Sequence, residues 1–148
     1  MKITSKQRLN SQVMREVNRV RTQHDLKSLK WSTSLARAAA RHSRSMATGG
    51  YFAHKSFNGL AFWRRIKAFY SANRRKYWSV GENLAWASPD LNAKQVVKMW
   101  MESPPHRANL LSKKWHEIGI SVMHSSSAPG TYQNQATTII TADFGARY

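Results

Sequence analysis

The chain has 148 residues, 41% of them hydrophobic, with six Trp, five Tyr and five Phe, which suits one domain with a single core and not a disordered tail. It contains no Cys, so disulfides and thiolate metal sites are excluded, and no apolar run approaches the roughly 20 residues that cross a bilayer. Lys and Arg number 24 against seven acids, a net charge of +17, and such a field attracts an anionic polymer, nucleic acid or an anionic lipid surface.

In chain order, the opening residues Met1–Lys6 carry no apolar h-region, so no signal peptide is read there. Ser5 to about His24 predicts an amphipathic helix, with Leu9, Val13, Val17 and Val20 on one face. A second helix opens after Trp31 with Ser32 or Ser34 as its cap. It carries Leu35, Ala38, Ala39, His42 and Met46 on one stripe and stops at Gly49-Gly50. Residues 60–70 suggest a short helix, followed by the basic stretch Arg74-Arg75-Lys76. Ser79 to Ala85 is a short apolar segment carrying polar residues. Asn92 caps a helix through Val96, Val97, Trp100 and Met101, which Pro104-Pro105 is expected to terminate. Ile118–Val122 and Thr137–Thr141 read as strands, joined as an antiparallel hairpin by the polar segment Ser125–Gln135. Helices first and strands late imply an α+β chain, an α-β-α sandwich with helices packed on a small, largely antiparallel sheet. No linker or repeat divides it, so residues 1–148 are expected to form a single domain.

Three clusters carry the polar chemistry: Phe52-Ala53-His54, Gly81-Glu82-Asn83-Leu84-Ala85, and Trp100 through Leu111 with Ser103-Pro104-Pro105-His106-Arg107 at its centre. A loop histidine alone is more often structural than a ligand, and a Glu beside Asn more often satisfies loop backbone. Their order changes the odds. The set resembles the bacterial branch of the CAP superfamily (the SCP-like domain). Asn18 and Arg21, Leu29 and Trp31, Ala39 with His42-Ser43, Ile118-Gly119-Ile120 and Asp143-Phe144-Gly145 extend the likeness over nearly the whole chain.

The resemblance implies an extracellular or cell-envelope domain with a broad cleft that binds a ligand. It makes His54, Glu82 and His106 the candidate catalytic and metal-binding residues, since related domains hold divalent cations through cleft histidines. Two imidazoles and a carboxylate suit Zn²⁺, with Ca²⁺ and Mg²⁺ as the harder options. The competing reading is a metal-free network in which Glu82 orients a histidine and ties loops together. The sequence also departs from the family: a second cleft Glu is replaced by Ser103, a common Gln by Ala142 and a common Gly by Pro105.

Two further functions remain open on the sequence. One is a metal-dependent hydrolase, best a nuclease, with Arg64, Arg65, Lys67, Arg74, Arg75 and Lys76 as the anion-binding set. In that version Trp63, Tyr70, Tyr77 and Trp78 would stack bases. The other is non-enzymatic adhesion to anionic polymer or lipid. A Ser103–His106–Glu82 triad has the right residue types but no nucleophile-elbow signature, and Ser103 has an ordinary role at a helix end. Arg107 has two candidate partners, Glu82 and the helix C-terminus.

Overall fold

The computed structural model describes residues 5–148, with side chains described from Arg8 onward. Its elements are α1 (Ser5–Gln23), β1 (Lys30–Trp31), α2 (Thr33–Gly49), α3 (Phe62–Phe69), β2 (Trp78–Ala87), α4 (Ala93–Glu102), α5 (Pro104–Leu110), β3 (Glu117–Ala128), a 3₁₀ turn at Gly130–Tyr132, and β4 (Gln135–Arg147). The sheet order is β1-β3-β4-β2, antiparallel except for the short parallel edge β1, which pairs with β3.

Period-two alternation along the strands sorts side chains to the two faces. Ala85, Ile120, Val122, Ile140, Ala142 and Phe144 pack against α1, α4 and α5 through Val13, Val17, Val96, Val97, Trp100 and Leu110. On the opposite face Leu84 and Ile139 meet Met46 and Ala47 of α2, while Leu35 and Ala38 pack on Ile66 and Tyr70. Five helices thus cover both faces of a four-stranded sheet, the α-β-α sandwich expected from the element pattern.

Local chemistry explains the boundaries. The Ser32 hydroxyl accepts from Leu35 N and caps α2, and Gly50, at φ 70°, ends it by returning its N–H to Met46 O. Asn92 and Gln95 form a reciprocal capping box at α4, both bonds 2.9 Å. Pro104 does not simply terminate that helix. Ser103 is the hinge, and Pro104-Pro105 occupy the first turn of α5, where a missing N–H leaves no bond unmade. The strands are longer than their β-branched centres suggested: β2 takes in all of Ser79–Ala85, and β3 runs on to Ala128. The hairpin connection is therefore the 3₁₀ turn and not the whole Ser-rich segment.

Gly119 shows why Ile-Gly-Ile stands on β3. A Cβ there would lie 2.0 Å from the backbone nitrogen of Ala36, so α2 lies directly on the strand at this point. Gly119→Ala must push the helix off the sheet. We expect a loss of at least about 1–3 kcal/mol, the range for overpacking, read as a lower urea midpoint; an unchanged midpoint would contradict the close approach.

Candidate functional site

The site forms along β2, an edge strand, where successive residues face opposite layers. Glu82 points toward α2 and α3, and Asn83 toward α5. Asn83 donates to His106 O (3.0 Å), and Asn109 donates to Glu82 O (3.1 Å) and Asn83 Oδ1 (3.0 Å), so α5 is tied to the strand by two asparagines. Gly81 lets this happen: a Cβ would fall 2.6 Å from the Trp115 ring and 3.3 Å from Asn109 Oδ1.

The loop after α2 brings in His54. His42 Nε2 donates to Ala53 O (2.7 Å), and Arg65 donates to His54 O (3.1 Å), which fixes the loop from beneath. His54 Nδ1 then meets Glu82 Oε1 at 2.9 Å, leaving Nε2 on a side chain that is 50% exposed. His106 Nδ1 is 2.7 Å from Ser103 Oγ. Burial and the neighbouring His54 ring both hold its pKa below the ordinary histidine value, so it is neutral at pH 7.

Arg65 occupies the centre. Its guanidinium grips Glu82 in a fork, Nη1 to Oε2 at 2.7 Å and Nη2 to Oε1 at 3.1 Å, and Nη1 also lies 3.4 Å from Asp143 Oδ2. Asp143 is the direct cross-strand partner of Glu82 on β4, and both are buried. Two adjacent carboxyls cannot both ionise there. Burial, then the charge of Glu82, raise Asp143 well above its usual range. Burial would also raise Glu82, but hydrogen bonds from His54, Asp143 and Arg65 outweigh it and hold that carboxyl low. Of the two carboxyls, Asp143 is therefore the one that holds a proton more readily. His42 lies 4.0 Å from Glu82, and burial followed by the charge of Arg65 brings its pKa down to about 4.

These positions correct several expectations. Arg65 does not belong with the phosphate-binding cations, because it is buried and paired with Glu82; Arg64, Lys67, Arg74, Arg75 and Lys76 are exposed. Arg107 pairs with neither candidate carried from the sequence: its Nη2 reaches His24 Nε2 at 3.5 Å. Ser103 and His106 do meet, but both oxygens of Glu82 are taken by Arg65 and His54, so no triad is assembled. The proposed base platform is also largely occupied. Tyr70 is buried, with Arg147 3.9 Å over its ring, Lys67 sits over Trp78, Arg64 sits over Trp63, and Tyr77 stacks on Tyr148.

His54 and Glu82 are brought into contact, and His106 lies close enough to His54 to feel its charge. Asp143, His42 and Arg65 were not read as members of this cluster. A signal existed for the first: an Asp inside a strand of otherwise apolar and small residues needs a buried partner.

A family model described as the cysteine-rich secretory protein family, CAP, matches residues 14–143. The chain belongs to the CAP family. It is 30% identical over 115 residues to the uncharacterized protein YkwD of Bacillus subtilis, a match covering 78% of this chain and 42% of that protein. This CAP chain thus spans less than half the length of that curated relative. Among solved structures, an extracellular SCP-domain protein of Bacillus anthracis superposes with a TM-score of 0.72 at 23% identity, over 97% of this chain and 44% of that one. An outer surface protein of Borrelia burgdorferi gives a TM-score of 0.78 at 19% identity, covering 100% and 98%. At these identities the structural likeness establishes the fold. No helix among the described residues is long and apolar enough to cross a membrane.

Two outcomes follow for this CAP domain. Arg65→Met leaves the buried Glu82 carboxylate without its counter-charge, and should lower unfolding stability by about 3–5 kcal/mol in denaturant titration. His42, neutral when folded, must gain a proton on unfolding at acid pH. The unfolded chain therefore binds more protons below pH 6.5, and stability falls as pH drops from about 6.5 toward 4. The loss is on the order of 3 kcal/mol; His42→Gln should flatten that slope, and an unchanged slope would show that other groups cause it.

Proposed function

We propose that this CAP domain is a non-catalytic binding module of the extracellular space or cell envelope. Its cleft takes a ligand at the exposed edges of His54 and His106, and its +17 surface holds it to anionic polymer. One observation carries this reading: Glu82, the only carboxylate of the cleft trio, has both oxygens committed to Arg65 and His54. It is left as neither general base nor metal ligand, and its work is to orient His54.

The donor set argues the same way about metal. Among the described residues no group of three or more His, Asp or Glu side chains is arranged to hold an ion. The ring nitrogens of His54 and His106 not bound to Glu82 or Ser103 make two donors, one fewer than a catalytic zinc site takes from its protein. A divalent cation held there would depend on ligand or water for its remaining positions, and no reaction step is assigned to it. The extracellular setting is supported by the descriptions of the Bacillus anthracis and Borrelia relatives.

The nuclease alternative is tested directly. Supercoiled plasmid is incubated with the protein under Mg²⁺, Ca²⁺, Zn²⁺ or chelator, beside His54→Ala and His106→Ala. We expect intact DNA in every lane, and retention on DNA that weakens steeply with salt. Replacing Arg74, Arg75 and Lys76 together by Ala should reduce the slope of log K against log salt by up to about 3. Metal-dependent nicking abolished in both histidine variants, with a stoichiometric metal in elemental analysis, would overturn the non-catalytic reading.

A further inference from the structure

A recess lies between α2 and α3. It encloses about 360 Å³ and is lined by Arg41, His42 and Ser45 of α2, by Ser56, Phe57, Asn58 and Leu60 of the connecting loop, and by Arg64, Arg65, Ala68 and Phe69 of α3. No residue of β2, α4 or α5 lines it, and neither does His54 or His106. Its size is that of a small-molecule site.

Its chemistry is one-sided. Three arginines line it and no acid does. Arg41 and Arg64 make no ion pair with a described carboxylate. Each guanidinium is instead parked over an aromatic ring, Arg41 at 6.0 Å from Phe69 and Arg64 at 5.1 Å from Trp63. A guanidinium stacked in this way keeps its in-plane N–H donors available at its edge. The two buried members, Arg65 and His42, each keep one nitrogen shut off from solvent. Arg65 uses Nη1 and Nη2 on Glu82, Asp143 and His54 O, but its Nε has no hydrogen-bond partner among the described residues. His42 donates through Nε2 to Ala53 O, which makes Nδ1 the bare acceptor, and that atom has no partner either. Phe57, Leu60, Ala68 and Phe69 supply apolar wall.

We infer that this recess is a binding site for a small organic anion, a carboxylate or phosphate monoester carried on a compact apolar body. The head would be gripped by Arg41 and Arg64, whose forks match either oxyanion, and the body would lie on Phe57, Leu60 and Phe69. A bare inorganic ion does not use the apolar wall, and a neutral apolar molecule does not use the arginines. Because Arg65 and His42 belong both to this recess and to the Glu82 cluster, occupation here bears on the loop that carries His54.

The test is calorimetric titration with 1-naphthoate, 1-naphthyl phosphate, neutral 1-naphthamide and cationic 1-naphthylmethylammonium. Salt of about 0.15 M reduces the range of the diffuse surface field to ~8 Å. At least one of the two anions should bind once per chain, the amide at least about tenfold more weakly, as expected when charge-assisted hydrogen bonds are lost, and the cation not at all. Arg41→Gln and Arg64→Gln should each weaken the anion about tenfold. Lys113→Gln, which makes the same change in net charge on an exposed residue outside the recess, should leave affinity unchanged. Ala68→Trp fills the recess from an exposed helix position and should abolish binding while the thermal midpoint stays with wild type. Equal binding of amide and anion, equal weakening by Lys113→Gln, undiminished binding in Ala68→Trp, or no binding of either anion would each overturn the assignment.

Discussion

Two carboxyl groups facing each other across neighbouring strands, both shut off from water, would repel each other and drive the strands apart if they stood alone. Glu82 and Asp143 occupy that arrangement, and Arg65 makes it tolerable. The guanidinium supplies a positive charge between them, and their mutual repulsion holds the Asp143 carboxyl well above its usual range while Glu82 is held low. From that anchor the rest of the site is hung. Arg65 holds α3 to the sheet and also donates to His54 O; Glu82 fixes the His54 ring; His42 secures the residue before it. On the other face of the same strand, Asn83 and Asn109 hold α5 and with it His106.

The arrangement explains why the motifs travel as an ordered set although they lie far apart in the chain. Phe-x-His, Gly-Glu-Asn and Ser-Pro-x-His-Arg are three sides of one edge-strand junction. The Gly admits Trp115 and Asn109, the Glu faces one helical layer and the Asn faces the other. Each residue type answers a packing or hydrogen-bonding demand of the junction before it answers any chemical one. Ser103 fits the same pattern. It ends α4 and begins α5, and its hydroxyl goes to His106 rather than to a backbone cap.

Much of this architecture was legible in the residues because its signals are local. Ser32, Gly50 and Asn92 act within one helical turn, and the stripe of Leu35, Ala38, Ala39, His42 and Met46 is buried as its spacing predicts. The parts that were not legible depend on long-range pairing. β1 has two residues and becomes a strand only because β3 lies beside it. Arg65 sits beside Arg64 in a basic run, and nothing in its neighbours distinguishes a buried cation from an exposed one. What separates them is the helical turn, which directs residue 65 inward with Ile66 while 64 faces out. Asp143 was visible as a motif residue, but its meaning required the register that sets it opposite Glu82.

The same anchor limits what family membership says about activity. The kept motif fixes a glutamate that pairs with Arg65 and holds a histidine in place, which is a structural task whatever the activity. What the junction leaves open is its periphery: the free edge of the His54 ring, the exposed cations of α3 and of residues 74–76, and the arginine-lined recess between α2 and α3. The buried part of this domain is therefore what makes its family recognisable. The excess positive charge is carried instead on the outer surfaces, where Arg64, Lys67, Arg74, Arg75 and Lys76 are exposed.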